Sequence, residues 1–164
     1  MNKSLLAGCL LLVVGLLSSP TQAQNESSGV RFGAGLVYGD QIDEAGFTIN
    51  ALFDIDDKLS IQPSFMYYFT GNNITYWELN GDLHYGFHAT ETVNLYAVGG
   101  LSFVHFGFEE VIAGNRVQLD DEALGLNIGI GSDFVIDSKL LPFAELKYTL
   151  GDYDQLVLTA GVRF

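Results

Sequence analysis

Cysteine occurs once, at Cys9, inside an apolar stretch close to the start of the chain. Once that stretch is removed on export, neither a disulfide, nor a cysteine nucleophile, nor a thiolate metal site is available to the remainder. Basic residues are also scarce, with 7 Lys and Arg against 20 Asp and Glu. So acidic a chain repels nucleic acid and bare anionic lipid, which excludes both as partners. His84, His88 and His105 are the only imidazoles, and none stands at a diagnostic spacing from a serine or carboxylate, so no catalytic residue is assigned. Glycine-rich phosphate loops and helical metal motifs are missing too, and no cofactor or metal is expected. Proline is confined to Pro20, Pro63 and Pro142. No apolar run reaches the roughly 20 residues that a membrane-spanning helix needs. The longest is Leu5 to Leu17, thirteen residues.

What is present at the N-terminus is an export signal. Lys3 precedes the apolar run, and Ser18 to Ala23 ends with the small residues Thr21 and Ala23 at minus three and minus one. This predicts a secretory signal peptide over 1–23, cut after Ala23. Leu6-Ala7-Gly8-Cys9 looks like a lipoprotein cleavage site, but apolar residues and not a polar tether follow Cys9, and the cleaved signal is preferred. Residues 24–164 are then 141 residues, the length of one domain. Losing Lys3 leaves six basic against 20 acidic residues, a net of −14. The mean hydropathy is nevertheless positive, +0.24. Charge and oil must therefore be segregated within the fold.

Period-two alternation shows how. In Tyr153 to Phe164, Leu156, Leu158, Ala160, Val162 and Phe164 share one face, while Val157, Thr159, Gly161 and Arg163 share the other. Seven further segments alternate in the same way: 29–39, 45–55, 58–70, 74–87, 93–108, 122–135 and 139–150. In the fourth, Trp77, Leu79, Leu83, Tyr85 and Phe87 lie opposite Glu78, Asn80, Asp82 and His84. Membrane strands need about 9 to 11 residues to cross and alternate apolar outward with polar inward. The pattern predicts an all-β fold, an eight-stranded antiparallel up-and-down transmembrane β-barrel.

Tight polar links at 54–58, 88–92 and 136–139 are expected as periplasmic turns, with the other connections outside. The longest link, about Glu109 to Asp121, has Val111, Ile112, Val117 and Leu119 around Ala113-Gly114-Asn115-Arg116, which predicts strands continuing beyond the membrane to a turn at Gly114-Asn115. Aromatic residues fall near the strand ends, with Tyr38, Phe47, Tyr67, Phe69, Tyr76, Trp77, Tyr148 and Tyr153 assigned to an outer girdle. Pro63, in mid-segment, predicts a bulge.

The inward set is polar and interleaved with glycine. Arg31, Lys147 and Arg163 fall on segments that become contiguous on closure, and Glu78 and Asp82 face them across the lumen, so ion pairs are expected, including Glu145 with Lys147 or Arg163. Eight strands enclose little more than side chains, so no continuous aqueous channel is expected. A gate or proton path is one reading of such a network. The preferred one is structural, because a buried charge left unpaired costs several kcal/mol. Acidic residues at the outer loops, Asp40, Asp43, Glu44, Glu109, Glu110, Asp120, Asp121, Glu122, Asp152 and Asp154, are read as a solvated rim in preference to a divalent-cation site.

Signal peptide, eight alternating segments, Pro142 to Tyr148 and the ending Gly161-Val162-Arg163-Phe164 together resemble the small outer-membrane barrels of the OmpA/OmpX type, within the porin-like outer-membrane barrel family. The resemblance implies location in the bacterial cell outer membrane, contact with its lipids and lipopolysaccharide, and a monomer. It also implies that Leu158, Ala160, Val162 and Phe164 form a C-terminal signal for the barrel assembly machinery. Some lipid deacylases of this barrel size use His-x-Ser on the lipid-facing wall; the matching triplet here, His105-Phe106-Gly107, lacks the nucleophile. The leading reading is a non-catalytic barrel with a structural or surface-interaction role. The alternatives are a narrow channel for small solutes or ions, and a soluble lipocalin-like binder of small ligands.

Overall fold

A computed structural model describes residues 29–71, 73–112, 115–136 and 139–164. The expected signal peptide and its cleavage site lie outside them. Eight strands follow one another: β1 (Val30–Gly39), β2 (Glu44–Asp54), β3 (Leu59–Tyr68), β4 (Ile74–Ala89), β5 (Val93–Ile112), β6 (Asn115–Phe134), β7 (Leu141–Gly151) and β8 (Gln155–Arg163). Each pairs antiparallel with the next, and β8 closes on β1 from Gly33↔Arg163 to Gly39↔Val157. Beyond that ladder, Phe32 and Phe164 exchange backbone hydrogen bonds of 3.1 and 2.8 Å, extending the seam to the last residue.

The expected alternation fixes the two surfaces. Leu36, Ile49, Leu79, Leu101, Leu124, Ile128 and Leu158 stand exposed on the outer wall. Thr48, Gln62, Glu78, Asp82, Asn127, Glu145, Lys147 and Arg163 are buried within. A lipocalin-like binder would need the opposite arrangement, with oil inside, so that alternative is overturned by the orientation of the strands.

One end of the barrel carries the β2–β3, β4–β5 and β6–β7 connections and both ends of the described chain. Its turns are set locally. The Asp56 carboxylate accepts from the Lys58 and Leu59 amides at 2.8 Å, and the Thr90 hydroxyl accepts from the Val93 amide at 2.9 Å. At the opposite, hairpin end, Asp43 turns the chain with a φ of 53°, and β5 and β6 run 20 residues each against 9 to 16 for the others. The protruding hairpin thus follows the pattern read from 109–121. Asn115, expected in its turn, already belongs to β6 opposite Ile112, and residues 113 and 114 lie outside those described.

Three expectations are corrected. Pro63 makes no bulge, because Asn50↔Ser64 and Phe53↔Ile61 keep one register on either side of it. The missing pairs are Ala51 with Pro63 and Leu52 with Gln62, the two that an N–H from residue 63 to the Ala51 carbonyl would close. Proline therefore deletes a rung without shifting the ladder. The bulge lies instead in β4, between Gly86 and His88, which also places His88 in a strand and not in a turn. Tyr76, assigned to the girdle, points inward and is 2% exposed; neighbours alternate, so it cannot share the outer face with Trp77.

A carbonyl left unpaired in hydrocarbon has no water to turn to. Pro63→Ala, which restores the donor, is expected to raise the urea midpoint of the barrel in detergent micelles, as its unfolding free energy rises by about 1 kcal/mol. An unchanged or lowered midpoint would show that Ala51 is not short of a partner.

Candidate functional site

The lumen is filled in layers. Nearest the turn end, Arg31 on β1 donates to both Asp54 oxygens, at 2.7 and 2.9 Å, and the Ser60 hydroxyl donates to the same carboxylate at 2.8 Å. A cavity of about 640 Å³ opens here, and its walls include Arg31, Asp54, His84, His88, Tyr96 and Asp133.

Arg163 forms the next layer and is 0% exposed. Its guanidinium pairs with Asp133 and with Glu145 at 2.7 Å, donates to the Gln62 amide oxygen at 2.7 Å, and lies 4.0 Å from the centre of the Phe143 ring. The Tyr96 hydroxyl donates to Glu145 at 2.8 Å, while the Tyr96 ring stacks on His84 at 4.5 Å. Glycine makes room for this cluster: a side chain at Gly131 would collide with the Tyr96 ring. Above it Lys147 pairs with Asp82 at 2.9 Å, and Asn127 donates to Asp82 at 2.7 Å and to Asn80 at 2.8 Å. The Thr149 hydroxyl donates to the Asn127 oxygen at 2.9 Å, completing that group.

Polarity ends at Glu78. Its carboxylate accepts from Gln155 at 2.6 Å and from the Tyr68 hydroxyl at 3.2 Å, with no cation paired to it among the described residues. Beyond it the lumen is apolar. Val37, Met66, Tyr68, Tyr76, Val104 and Val157 form a buried plug, packed on by Ile42, Phe106 and Tyr153. Tyr68 meets Tyr76 edge-on at 5.3 Å, and Tyr76 meets Tyr153 at 6.2 Å. Tyr153, in the β7–β8 connection, donates to Asp121 at 2.7 Å, and that carboxylate pushes its phenol up to about 12. The interior is thus a cup, open at the turn end and stopped at the hairpin end.

Of the six residues expected in the lumen network, Asp82 joins Lys147 and Glu145 joins Arg163. Arg31 instead stays at the rim with Asp54, and Glu78 is held by neutral donors. Tyr96 and Tyr68, central to the packing, are not marked by the sequence pattern because both faces of those segments are largely apolar or aromatic there, whereas the inward face of Tyr76 follows from its alternation with Trp77 and Glu78. Leu158 and Phe164 project outward from the seam, 52% and 62% exposed, with Ala160 and Val162 between them. Elsewhere His105 lies on the outer wall, stacked on Trp77 at 5.0 Å and 3.8 Å from Glu122. Among the described residues, no three His, Cys, Asp or Glu side chains converge on a point that could hold a metal ion.

Asp82→Leu leaves the Lys147 ammonium buried without a counter-charge, and is expected to cost about 3–5 kcal/mol of stability in urea unfolding of the micellar barrel. Adding Lys147→Met should recover most of it. A double variant no better than the single one would mean the pair is not the unit of stability.

No family model matches the sequence, and no curated protein matches it. Solved structures do. The N-terminal β-barrel domain of OprF from Pseudomonas aeruginosa superposes with a TM-score of 0.64 at 18% identity, over 85% of this chain and 98% of that one. Neisserial surface protein A gives 0.64 at 17% identity, over 85% and 98%. Ail of Yersinia pestis, in complex with the heparin analogue sucrose octasulfate, gives 0.58 at 17% identity, over 82% and 97%. At such identities the likeness is one of fold, and the chain has the closed eight-stranded antiparallel barrel seen in these small outer-membrane proteins.

Proposed function

We propose that the chain is an integral protein of the bacterial outer membrane, exported by residues 1–23, whose role is carried by the surface at its hairpin end and not by conduction or catalysis. The observation that supports this most is the closed lumen. A solute would have to part the Arg163–Asp133–Glu145 cluster and then the apolar plug of Tyr68, Tyr76 and Met66. Each obstacle is costly alone: the first exposes buried charge, and the second is a packed layer of apolar and aromatic side chains with few polar groups for a hydrated solute to meet. The exposed apolar wall fits lipid contact, and the short links and termini fit the periplasmic side.

The hairpin end also constrains what is bound. Asp40, Asp43, Glu44, Glu109, Asp120, Asp121, Glu122, Asp152 and Asp154 gather there, and Arg116 is the one basic residue beside them, paired to Glu109 at 3.0 Å. A sulfated polyanion of the kind seen with Ail meets the wrong sign of charge on this surface.

Three outcomes are expected. The membrane fraction should give a band that changes mobility on boiling, as a detergent-resistant barrel does; equal mobility would remove the barrel-in-membrane reading. Purified protein in planar bilayers should show no unitary current steps, and reproducible steps would favour the narrow-channel alternative. Deleting Phe164 should lower the amount inserted in the outer membrane far more than it lowers the urea midpoint of the refolded barrel; normal yield would leave the last strand without an assembly role.

A further inference from the structure

Side chains fill the lumen except at the turn end, where the cavity of about 640 Å³ has the volume of a small-molecule site. Its floor is the Arg163 layer, from which Asp133, Tyr96 and His84 line it while buried. Its mouth is the β2–β3 connection, which contributes Asp56, Asp57 and Lys58.

Charge on this lining does not balance. Asp54, Asp56, Asp57 and Asp133 stand against Arg31 and Lys58, four acids to two bases. The layer behind adds Glu145 and Arg163, one of each, so two negative charges remain with the histidines neutral. They lie at opposite ends of the cup. On the floor Asp133 and Glu145 share the single guanidinium of Arg163, which leaves one carboxylate charge in excess. Midway, Asp54 is matched by Arg31 and takes the Ser60 hydroxyl as well. In the mouth Asp56 accepts from the uncharged amides of its own turn, and Lys58 is the one cation for both Asp56 and Asp57. Concave walls of low dielectric focus such a field on the space they enclose.

Two charges held apart do not suit a metal ion. A calcium ion takes six or more oxygens around one centre, and among the described residues no three His, Cys, Asp or Glu side chains converge on a point. The wall between the two ends is partly apolar, with Leu52 and Leu95 in the lining. The floor also has unused hydrogen-bonding capacity. His84 is 4% exposed, and its Nε2, 3.9 Å from Glu145 and so beyond hydrogen-bond reach, has no partner.

We propose that the cup binds a linear aliphatic diamine, with one ammonium at Asp133 on the floor, the other at Asp56 and Asp57 in the mouth, and the methylene chain along Leu52 and Leu95. A monoamine meets one of the two excess charges and leaves the other. The site is independent of the surface at the hairpin end, because the apolar plug stands between them.

The test is calorimetric titration of the full barrel in phosphatidylcholine nanodiscs at low salt. The probes are the terminal diamines of butane, hexane and octane, with aminohexane and Mg²⁺ for comparison, all as chlorides. The best-fitting diamine is expected to bind about tenfold more tightly than aminohexane or Mg²⁺, and to lose affinity as salt is added. Amide resonances of Asp57, Tyr96 and Asp133 should shift with it. Because the hairpin end is acidic too, variants locate the site. Asp57→Lys, at an exposed turn position, should weaken the diamine about tenfold while heat-shifted mobility persists. Asp120→Asn with Glu122→Gln should leave its affinity unchanged. Equal affinity for aminohexane or Mg²⁺, shifts confined to the hairpin end, or indifference to Asp57→Lys would each overturn the diamine site.

Discussion

Hydrocarbon offers a backbone amide nothing to bond to, and the rest of this structure follows from that constraint. A sheet in lipid must close so that no edge remains, and closure on eight strands turns each chain segment into a partition between oil and lumen. The Gly33↔Arg163 to Gly39↔Val157 ladder, extended by Phe32 and Phe164, is the point where closure is achieved. Pro63 withholds a rung in mid-wall, and the register on both sides is unchanged.

Closure then dictates the chemistry of the interior. Outward residues must be apolar, so the polar residues of an acidic chain collect inside a space that side chains nearly fill. Fixed in so small a volume, carboxylates need partners, and the chain supplies them unevenly. Arg163 and Lys147 serve Asp133, Glu145 and Asp82 in the half nearer the turns, whereas Glu78, farther up, has only neutral donors. Beyond Glu78 the chain ceases to spend charge and packs tyrosine, methionine and valine. The lining thus passes from ionic to apolar between the turn end and the hairpin end.

How much of this could be read beforehand depends on contrast between neighbours. Where acids and leucines alternate, as in Trp77 to Phe87, orientation is unambiguous, and Asp82, Glu145, Lys147 and Arg163 lie buried on the inner face. Where both faces are apolar, as around Tyr68 and Tyr96, period-two patterning carries no sign, whereas Tyr76 shares the face of Glu78 by alternation and its girdle assignment overlooks that. Pairing across the lumen was legible only in part, since it depends on height and side-chain reach: Arg31 is close enough to Asp54 to stay at the rim, and alternation says nothing about that. The bulge was misplaced for a related reason. Proline announces a missing donor, but whether the ladder shifts or tolerates the gap is decided by neighbouring strands, here β4, whose Gly81 holds Pro63 in register.

The constraint also explains why β5 and β6 can do what the other strands cannot. Above the membrane water satisfies backbone groups, so an edge becomes permissible, and the hairpin that outgrows the barrel is where the fold leaves one open. Carboxylates at Asp120, Asp121 and Glu122 line that edge, and a second copy paired there would set like charges beside one another. The barrel below is packed from the Arg163 cluster to the apolar plug. A lumen locked by buried ion pairs and a packed aromatic plug fixes the base of β5 and β6, and the hairpin above is held from that base.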